Sequence, residues 1–322
     1  MMATADARSV PVISLVTPAF NEADNLAPLY DRLVGVMGSA GLAWEWIVVD
    51  DHSSDATFAV MSRLAASDPR AHGLRLARNS GSHAAILCGL AAARGEAAIV
   101  LAADGQDPPE EIPRLIAAWH DGAAVVWAEK ARGYPALADR VASRAFHALL
   151  KRASGLETLS RAGSDFFLVS RPVIQVVNTL GERNTNVMAL LAWIGFDQAT
   201  IAYDKSARAR GKSGWTAAKK LKLFVDSVIG FSVRPLQAIS VLGFVIATLG
   251  FAYAAIVIAN AIFGKPIEGW SSLMVAVLIL GGVQMVMLGI LGEYLWRALD
   301  ESRGRPRYVV ERRTGGGPAE VR

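Results

Sequence analysis

Two aspartates stand side by side in V-V-D-D-H-S-S-D, residues 48–55, directly after an apolar run. Adjacent acids at the end of a buried strand are costly unless something uses them. Carboxylates in that position accept hydrogen bonds from a uracil imide or a ribose hydroxyl, so Asp50 and Asp51 are expected to contact a nucleotide. Ser53 and Asp55 follow them, as further polar contacts or as caps of the next helix. A second cluster is A-A-D-G-Q-D-P-P-E, residues 102–110. It sets the carboxylate of Asp104 and the amide carbonyl of Gln106 two residues apart, where both oxygens can face one hard cation. Mg²⁺ or Mn²⁺ prefers such ligands and shares them with substrate phosphates. The plainer alternative is a turn in which Pro108 opens a helix. A third stretch, P-A-F-N-E at 18–22, ends another apolar run. Read alone, its Asn21 and Glu22 are helix-capping residues.

These residues need a frame that brings strand ends together. Apolar runs at Val12–Thr17, Trp46–Asp50, Leu74–Ala77, Ala98–Ala102 and Ala123–Trp127 read as buried strands. Helical patterns lie between them, near Glu22–Met37, Asp55–Ala66, Ser82–Ala93 and Pro109–Trp119. Strands without alternation, separated by helices, predict a doubly wound, mostly parallel sheet covered on both faces. Ligands of such a sheet sit at the carboxyl ends of its strands. Further on, a helix is expected at Leu137–Arg152, a strand at Asp165–Val169, helices at Val173–Leu180 and Thr185–Trp193, and a strand at Phe196–Tyr203.

Just over half of the 322 residues, 52%, are apolar, and the excess lies after residue 234. Pro235–Gly264 and Gly269–Gly292 contain no charged residue. Each is longer than the ~20 residues that cross a bilayer core. The expected spans are about 235–263 and 271–295, joined by a short link into an antiparallel hairpin. Before them, Thr216–Ile229 carries Leu221, Phe224, Val225, Val228 and Ile229 at helical spacing, as an amphipathic helix on a membrane surface would. The formal charge is only +4, but the basic residues flank the apolar segments. Lys205, Arg208, Arg210, Lys212, Lys219, Lys220 and Lys222 precede them, and Arg297, Arg303, Arg305, Arg307, Arg312 and Arg313 follow. The positive-inside rule then places both termini in the cytoplasm, with Trp270, Tyr294 and Trp296 as interface anchors. No signal peptide is evident before Pro11, and the single cysteine, Cys88, reads as a small buried hydrophobe in a reducing compartment. The expected organisation is a cytoplasmic domain over 1–215, an interface helix over 216–233, two spans within 234–296, and a basic tail over 297–322.

From about Ile13 to Val310 the chain resembles family 2 glycosyltransferases of the GT-A fold, in the branch of dolichol-phosphate mannose synthase and bactoprenol glucosyltransferase. Eight stretches fall in the family's order: P-A-F-N-E, V-V-D-D, R-N-S-G at 78–81, D-G-Q-D-P-P-E, D-F-F-L-V-S-R at 165–171, R-A-R-G-K-S at 208–213, F-S-V-R-P-L at 231–236 and G-E-Y-L at 292–295. The resemblance implies that Pro18, Asn21, Glu22, Asp50, Asp51, Ser53, Arg78 and Asp104 line the nucleotide-sugar site. Asp104 and Gln106 would hold Mg²⁺ or Mn²⁺. Asp165 would act as base or organiser of the acceptor. Arg208, with Lys130, Arg132, Ser143, Lys212 and Ser213, would bind the acceptor phosphate or donor diphosphate.

The implied reaction is an inverting sugar transfer from a nucleotide sugar, UDP-glucose or another UDP-hexose first and GDP-mannose second, to undecaprenyl or another polyprenyl phosphate. The implied partners are the donor, the lipid acceptor, the bilayer and copies of the chain in a tetramer, and no nucleic acid. The chain departs from the family at four places. Ala102 stands where the metal motif usually begins with Asp, Gly105 replaces a usual Leu and His147 a usual Tyr, and Gly214-Trp215 replaces a usual Lys-Tyr pair. A processive polysaccharide synthase would need a longer transmembrane bundle and a Gln-x-x-Arg-Trp motif. A non-catalytic membrane scaffold would not need Asp50, Asp104, Gln106 and Asp165. G-K-S at 211–213 is no phosphate-binding Walker loop, because the required first Gly is Ser206, and no G-x-G-x-x-G follows the first strand.

Overall fold

The computed structural model describes residues 11–130, 165–181, 186–204, 234–263 and 269–314. In chain order the elements are β1 (Ile13–Ala19), α1 (Ala23–Ala40), β2 (Trp44–Asp50), α2 (Thr57–Ser67), β3 (Ala71–Leu76), α3 (Ser82–Ala92) and β4 (Ala97–Val100). A 3₁₀ turn (Pro109–Glu111) leads into α4 (Ile112–His120) and β5 (Val125–Lys130). Then come β6 (Phe167–Ser170), α5 (Arg171–Thr179), α6 (Val187–Ile194) and β7 (Gln198–Tyr203). The long helices α7 (Arg234–Ile262) and α8 (Trp270–Ser302) follow, and β8 (Val310–Arg313) closes the described chain. The helices expected at Leu137–Arg152 and Thr216–Ile229 lie outside the described residues.

The eight strands among the described residues form one sheet in the order β7-β5-β6-β4-β1-β2-β3-β8. The pairs β1–β2, β1–β4, β2–β3 and β5–β7 are parallel, and only β6 and β8 run against the rest. The central strands are buried on both faces. Ile13, Leu15, Trp46 and Val48 pack with α1, α2 and α4 on one side. Val16, Ile47 and Val49 pack with α3, α5 and α6 on the other. Both faces are covered, so these strands read as continuous apolar runs rather than as alternation. Gly89 shows how closely α3 lies on the sheet, since a Cβ there would collide with Val16 Cγ1.

A buried polar network ties the amino-terminal edge. Glu45 of β2 accepts from the Ser14 hydroxyl at 2.6 Å, and from the Arg94 backbone N–H and Nε at 2.8 Å each. His72 Nε2 lies 3.6 Å from the same carboxylate. The predicted second strand began only at Trp46 and so missed Glu45.

The residues read as a basic tail do two things the sequence reading did not anticipate. Helix α8 continues to Ser302, and β8 then returns to pair antiparallel with β3 at the sheet edge. Between them, Tyr308 packs against the core beside α3 and α5. Helices α7 and α8 contain stretches, Ile239–Asn260 and Ile279–Ser302, that are long and apolar enough to cross a membrane. Their large apolar side chains, among them Phe244, Phe251, Ile262, Met285 and Leu295, are exposed.

Candidate active site

Because β1, β2, β3 and β4 are parallel neighbours, their carboxyl ends open at one edge, and the polar motifs follow directly from them. The register sets Ala19 opposite Asp50 and Asp50 opposite Arg75. Strand β6 enters the same edge from the other direction. Phe167 lies opposite Val100, and continuing that antiparallel register brings Asp165 opposite Ala102. Lys130 ends β5, which runs parallel to these strands, so it too stands at this edge. The sequence-predicted residues Pro18, Asn21, Glu22, Asp50, Asp51, Ser53, Arg78, Asp104, Gln106, Lys130 and Asp165 therefore share one side of the sheet. Arg132, Ser143, Arg208, Lys212 and Ser213 lie outside the described residues.

The loop after β1 is held by the loop after β2. Asn21 takes a left-handed backbone, φ 57°, a conformation Asn tolerates better than most residues. Its N–H donates to Ser53 Oγ at 2.9 Å, and its Oδ1 accepts from the Ser54 N–H at 2.9 Å. The Glu22 N–H donates to Thr57 Oγ1 at 2.9 Å, and the Ala23 N–H to Asp55 Oδ2 at 3.2 Å. The first donors of α1 are thus satisfied from across the gap rather than by an Asn21 cap. Asp55 and Ser53 brace the two loops together. Phe20 is 47% exposed at this rim, an aromatic face that the sequence reading passed over.

Both aspartates are buried and both are engaged. Asp50 Oδ1 accepts from the Ser53 N–H at 2.8 Å, and its Oδ2 from Arg75 Nη1 at 2.7 Å. Asp51 Oδ1 accepts from the Ser80 N–H at 2.6 Å and its Oδ2 from the Gly81 N–H at 2.8 Å. Burial pushes the Asp51 carboxyl up, the two N–H donors pull it back, and the neighbouring Asp50 charge adds to the rise. Asp51 therefore fixes the R-N-S-G turn, which Gly81 enters at φ 90°. Each carboxylate oxygen offers two lone-pair directions, so this bracing leaves room for a further donor. Arg78 is exposed beside the turn.

In the loop after β4, Asp104 is buried and its Oδ1 accepts from the Gln106 N–H at 3.1 Å. Gly105 between them has φ 72°, a left-handed value that a Leu would adopt only under strain. Asp107 is fully buried and serves the fold: Oδ2 accepts from the Ala102 N–H at 3.1 Å and Oδ1 from the Tyr203 hydroxyl at 2.8 Å. Asp104 and Gln106 remain the pair suited to a hard cation. Among the described residues no group of three or more His, Cys, Asp or Glu side chains is placed to hold a metal. Asp165 is exposed at the start of the β6 segment.

Two groups of α3 are chemically quiet. Burial pushes the Cys88 thiol up to about 12 and the His83 imidazole down to about 4, so both stay neutral.

Comparison with known proteins places these observations. Residues 14–177 match the family described as glycosyl transferase family 2. Over 300 residues the chain is 35% identical to an uncharacterised glycosyltransferase of Synechocystis sp., covering 92% of this chain and 94% of that one. It is 34% identical over 308 residues to the SfII prophage-derived bactoprenol glucosyl transferase of Shigella flexneri, covering 95% and 99%. It is likewise 34% identical over 311 residues to an undecaprenyl-phosphate 4-deoxy-4-formamido-L-arabinose transferase of Edwardsiella ictaluri, covering 95% of each chain.

Proposed function

The chain belongs to glycosyl transferase family 2, and from that premise we propose that it moves a hexose from a nucleotide sugar to a polyprenyl phosphate at a membrane surface. One observation carries this reading: Asp50, Asp51, Asp104 and Gln106 gather at one edge of the sheet, where Asp165 also arrives on an antiparallel strand. The names of the relatives, bactoprenol glucosyl transferase and undecaprenyl-phosphate arabinose-type transferase, favour a polyprenyl phosphate as acceptor. UDP-glucose is the first donor to expect, with GDP-mannose second. Helices α7 and α8 would span the bilayer as a hairpin, with the sheet on the cytoplasmic side. Tethering of this kind turns the search for a lipid acceptor into a local one.

The donor base and ribose would lie against Pro18, Glu22 and the Asp50–Asp51 pair. Asp104 and Gln106 fit a cation that takes most of its ligands from a substrate diphosphate, since the loop offers one carboxylate and one amide carbonyl for the task. When bound, Mg²⁺ or Mn²⁺ would offset charge on the departing diphosphate. The acceptor phosphate has a second pKa near ~6 and is already largely an anion at neutral pH. Asp165 therefore serves mainly to orient it, and Arg208 to hold its charge, for in-line attack that inverts the anomeric centre.

The test is to incubate membranes carrying the chain with undecaprenyl phosphate and a panel of radiolabelled nucleotide sugars. One donor should label the lipid fraction with an inverted linkage. Asp104→Ala should abolish that transfer and Asp165→Asn should reduce it severely. Transfer by Asp104→Ala near the wild-type rate would refute the assignment of the metal pair.

A further inference from the structure

Arg75 makes contacts that the proposed donor site does not by itself explain. Its guanidinium donates to Asp50 Oδ2 from Nη1 and to the Ser53 carbonyl from Nη2, at 2.7 and 3.1 Å. Asp50 ends β2 and Ser53 belongs to the loop after it, which would face the nucleotide. Its Nε donates in a third direction, to Glu311 Oε2 at 3.2 Å. Glu311 lies in β8, reached only after the whole apolar hairpin, yet it touches the arginine that orients a buried aspartate of β2.

The backbone aims it there. Along β3 and β8, Leu76 is opposite Val310 and Arg75 is opposite Arg312, so Glu311 is the extra residue of a bulge. A bulge re-aims one side chain and locally ends regular pairing. Pairing on either side fixes the segment, through the Ala77 N–H to the Val309 carbonyl at 2.8 Å and the Thr314 N–H to the Gly73 carbonyl at 2.9 Å. The strand thus presents one carboxylate to Arg75 at the edge where the donor is expected. Asp50 is almost wholly buried, and a buried carboxylate keeps one orientation only while its charged partner is held.

We propose that Glu311 is a positioning residue for donor binding: the returning C-terminal strand steadies Arg75, which in turn sets the Asp50 carboxylate for the nucleotide. The inference rests on the donor site proposed above. It makes the segment after the membrane hairpin a working part of that site.

The experiment uses the full chain in nanodiscs, with UDP-glucose and GDP-mannose titrated in the presence of MnCl₂. Glu311→Gln should raise the Kd and the KM of the binding donor by roughly three- to fivefold, the range of a half-exposed ion pair. The acceptor KM, kcat and the thermal midpoint should hold. Glu311→Asp keeps the charge and should recover part of the affinity. In an Arg75→Lys background, whose shorter reach already loosens Asp50, Glu311→Gln should add little. Unchanged donor affinity in a folded Glu311→Gln chain, or a fall confined to kcat, overturns the proposal while leaving the donor site standing. Failure of the wild-type chain to bind either nucleotide sugar overturns both.

Discussion

At the scale of single residues, the proposed metal pair, Asp104 and Gln106, is defined as much by its neighbour as by itself. Ala102 stands opposite the extended register of Asp165 and two residues before Asp104, but its side chain offers no oxygen. Its backbone N–H is already fixed by Asp107, so a longer side chain there would start from a steady Cα. Ala102→Asp should therefore add a carboxylate ligand. The MnCl₂ concentration giving half-maximal transfer should fall by roughly tenfold, one charge-assisted contact of about 1.4 kcal/mol. A dependence on Mn²⁺ identical to wild type would mean that the cation does not lie between strands β4 and β6. Arg75 teaches a related lesson. In the sequence it is one of two polar residues, with His72, in a mostly apolar strand. Its importance comes from a carboxylate 25 residues earlier and another 236 residues later, and no local pattern announces either.

At the scale of elements, the bracing of α1 against the start of β3 makes a pH prediction. Asp68 follows α2 and accepts from the Tyr30 hydroxyl of α1 and from Arg70, whose Nη2 lies 2.6 Å from Oδ2. Arg70 also lies over the Trp44 ring, 4.6 Å from its centroid. Burial alone would push the Asp68 carboxyl up, but the Arg70 and Tyr30 hydrogen bonds and the Arg70 charge hold it down at about 2. A depressed carboxylate stabilises the fold above its unfolded pKa, near ~3.9, and that contribution disappears as pH falls towards about 2. Acid unfolding followed by circular dichroism should show Asp68→Asn less stable than wild type at pH 7, with the gap closing below pH 4. A constant gap down to pH 2 would show that Asp68 acts without its charge. Elements such as β1, β2 and α1 were legible because burial on both sheet faces leaves apolar runs and a 3.6-residue period. Their ends were less so: β2 begins with Trp44 and Glu45, and the buried Glu45 breaks the apolar pattern that marks the strand. The candidate site was legible only as acids at strand ends, which the sheet brings to one edge. That Asp107, Ser53 and Asp55 spend their oxygens on the fold was not, because their partners lie on other elements.

At the scale of the whole molecule, the sheet is completed by residues that read as a basic tail. V-E-R-R carries three charges in four residues and lacks any strand pattern, so only its pairing with β3, more than 230 residues away, reveals it. The charges suit its place, since an edge strand rich in Arg resists pairing with other chains. Removal of the hairpin by truncation after residue 233 would therefore also remove β8, together with Tyr308 and Val310, which pack against the core. It would leave β3 as a bare, largely apolar edge. Such a chain should lose about 2–3 kcal/mol, seen as a fall of roughly 5–10 °C in Tm, and should form oligomers through the opened edge. A chain in which a long Gly/Ser linker replaces residues 234–302 keeps β8 and should stay monodisperse in size-exclusion chromatography. Equal Tm and equal monodispersity of the two chains would show that β8 adds nothing to the domain. The spliced chain should outlast the truncated one, because the apolar hairpin is an insertion between two parts of one sheet rather than an appendage at its end.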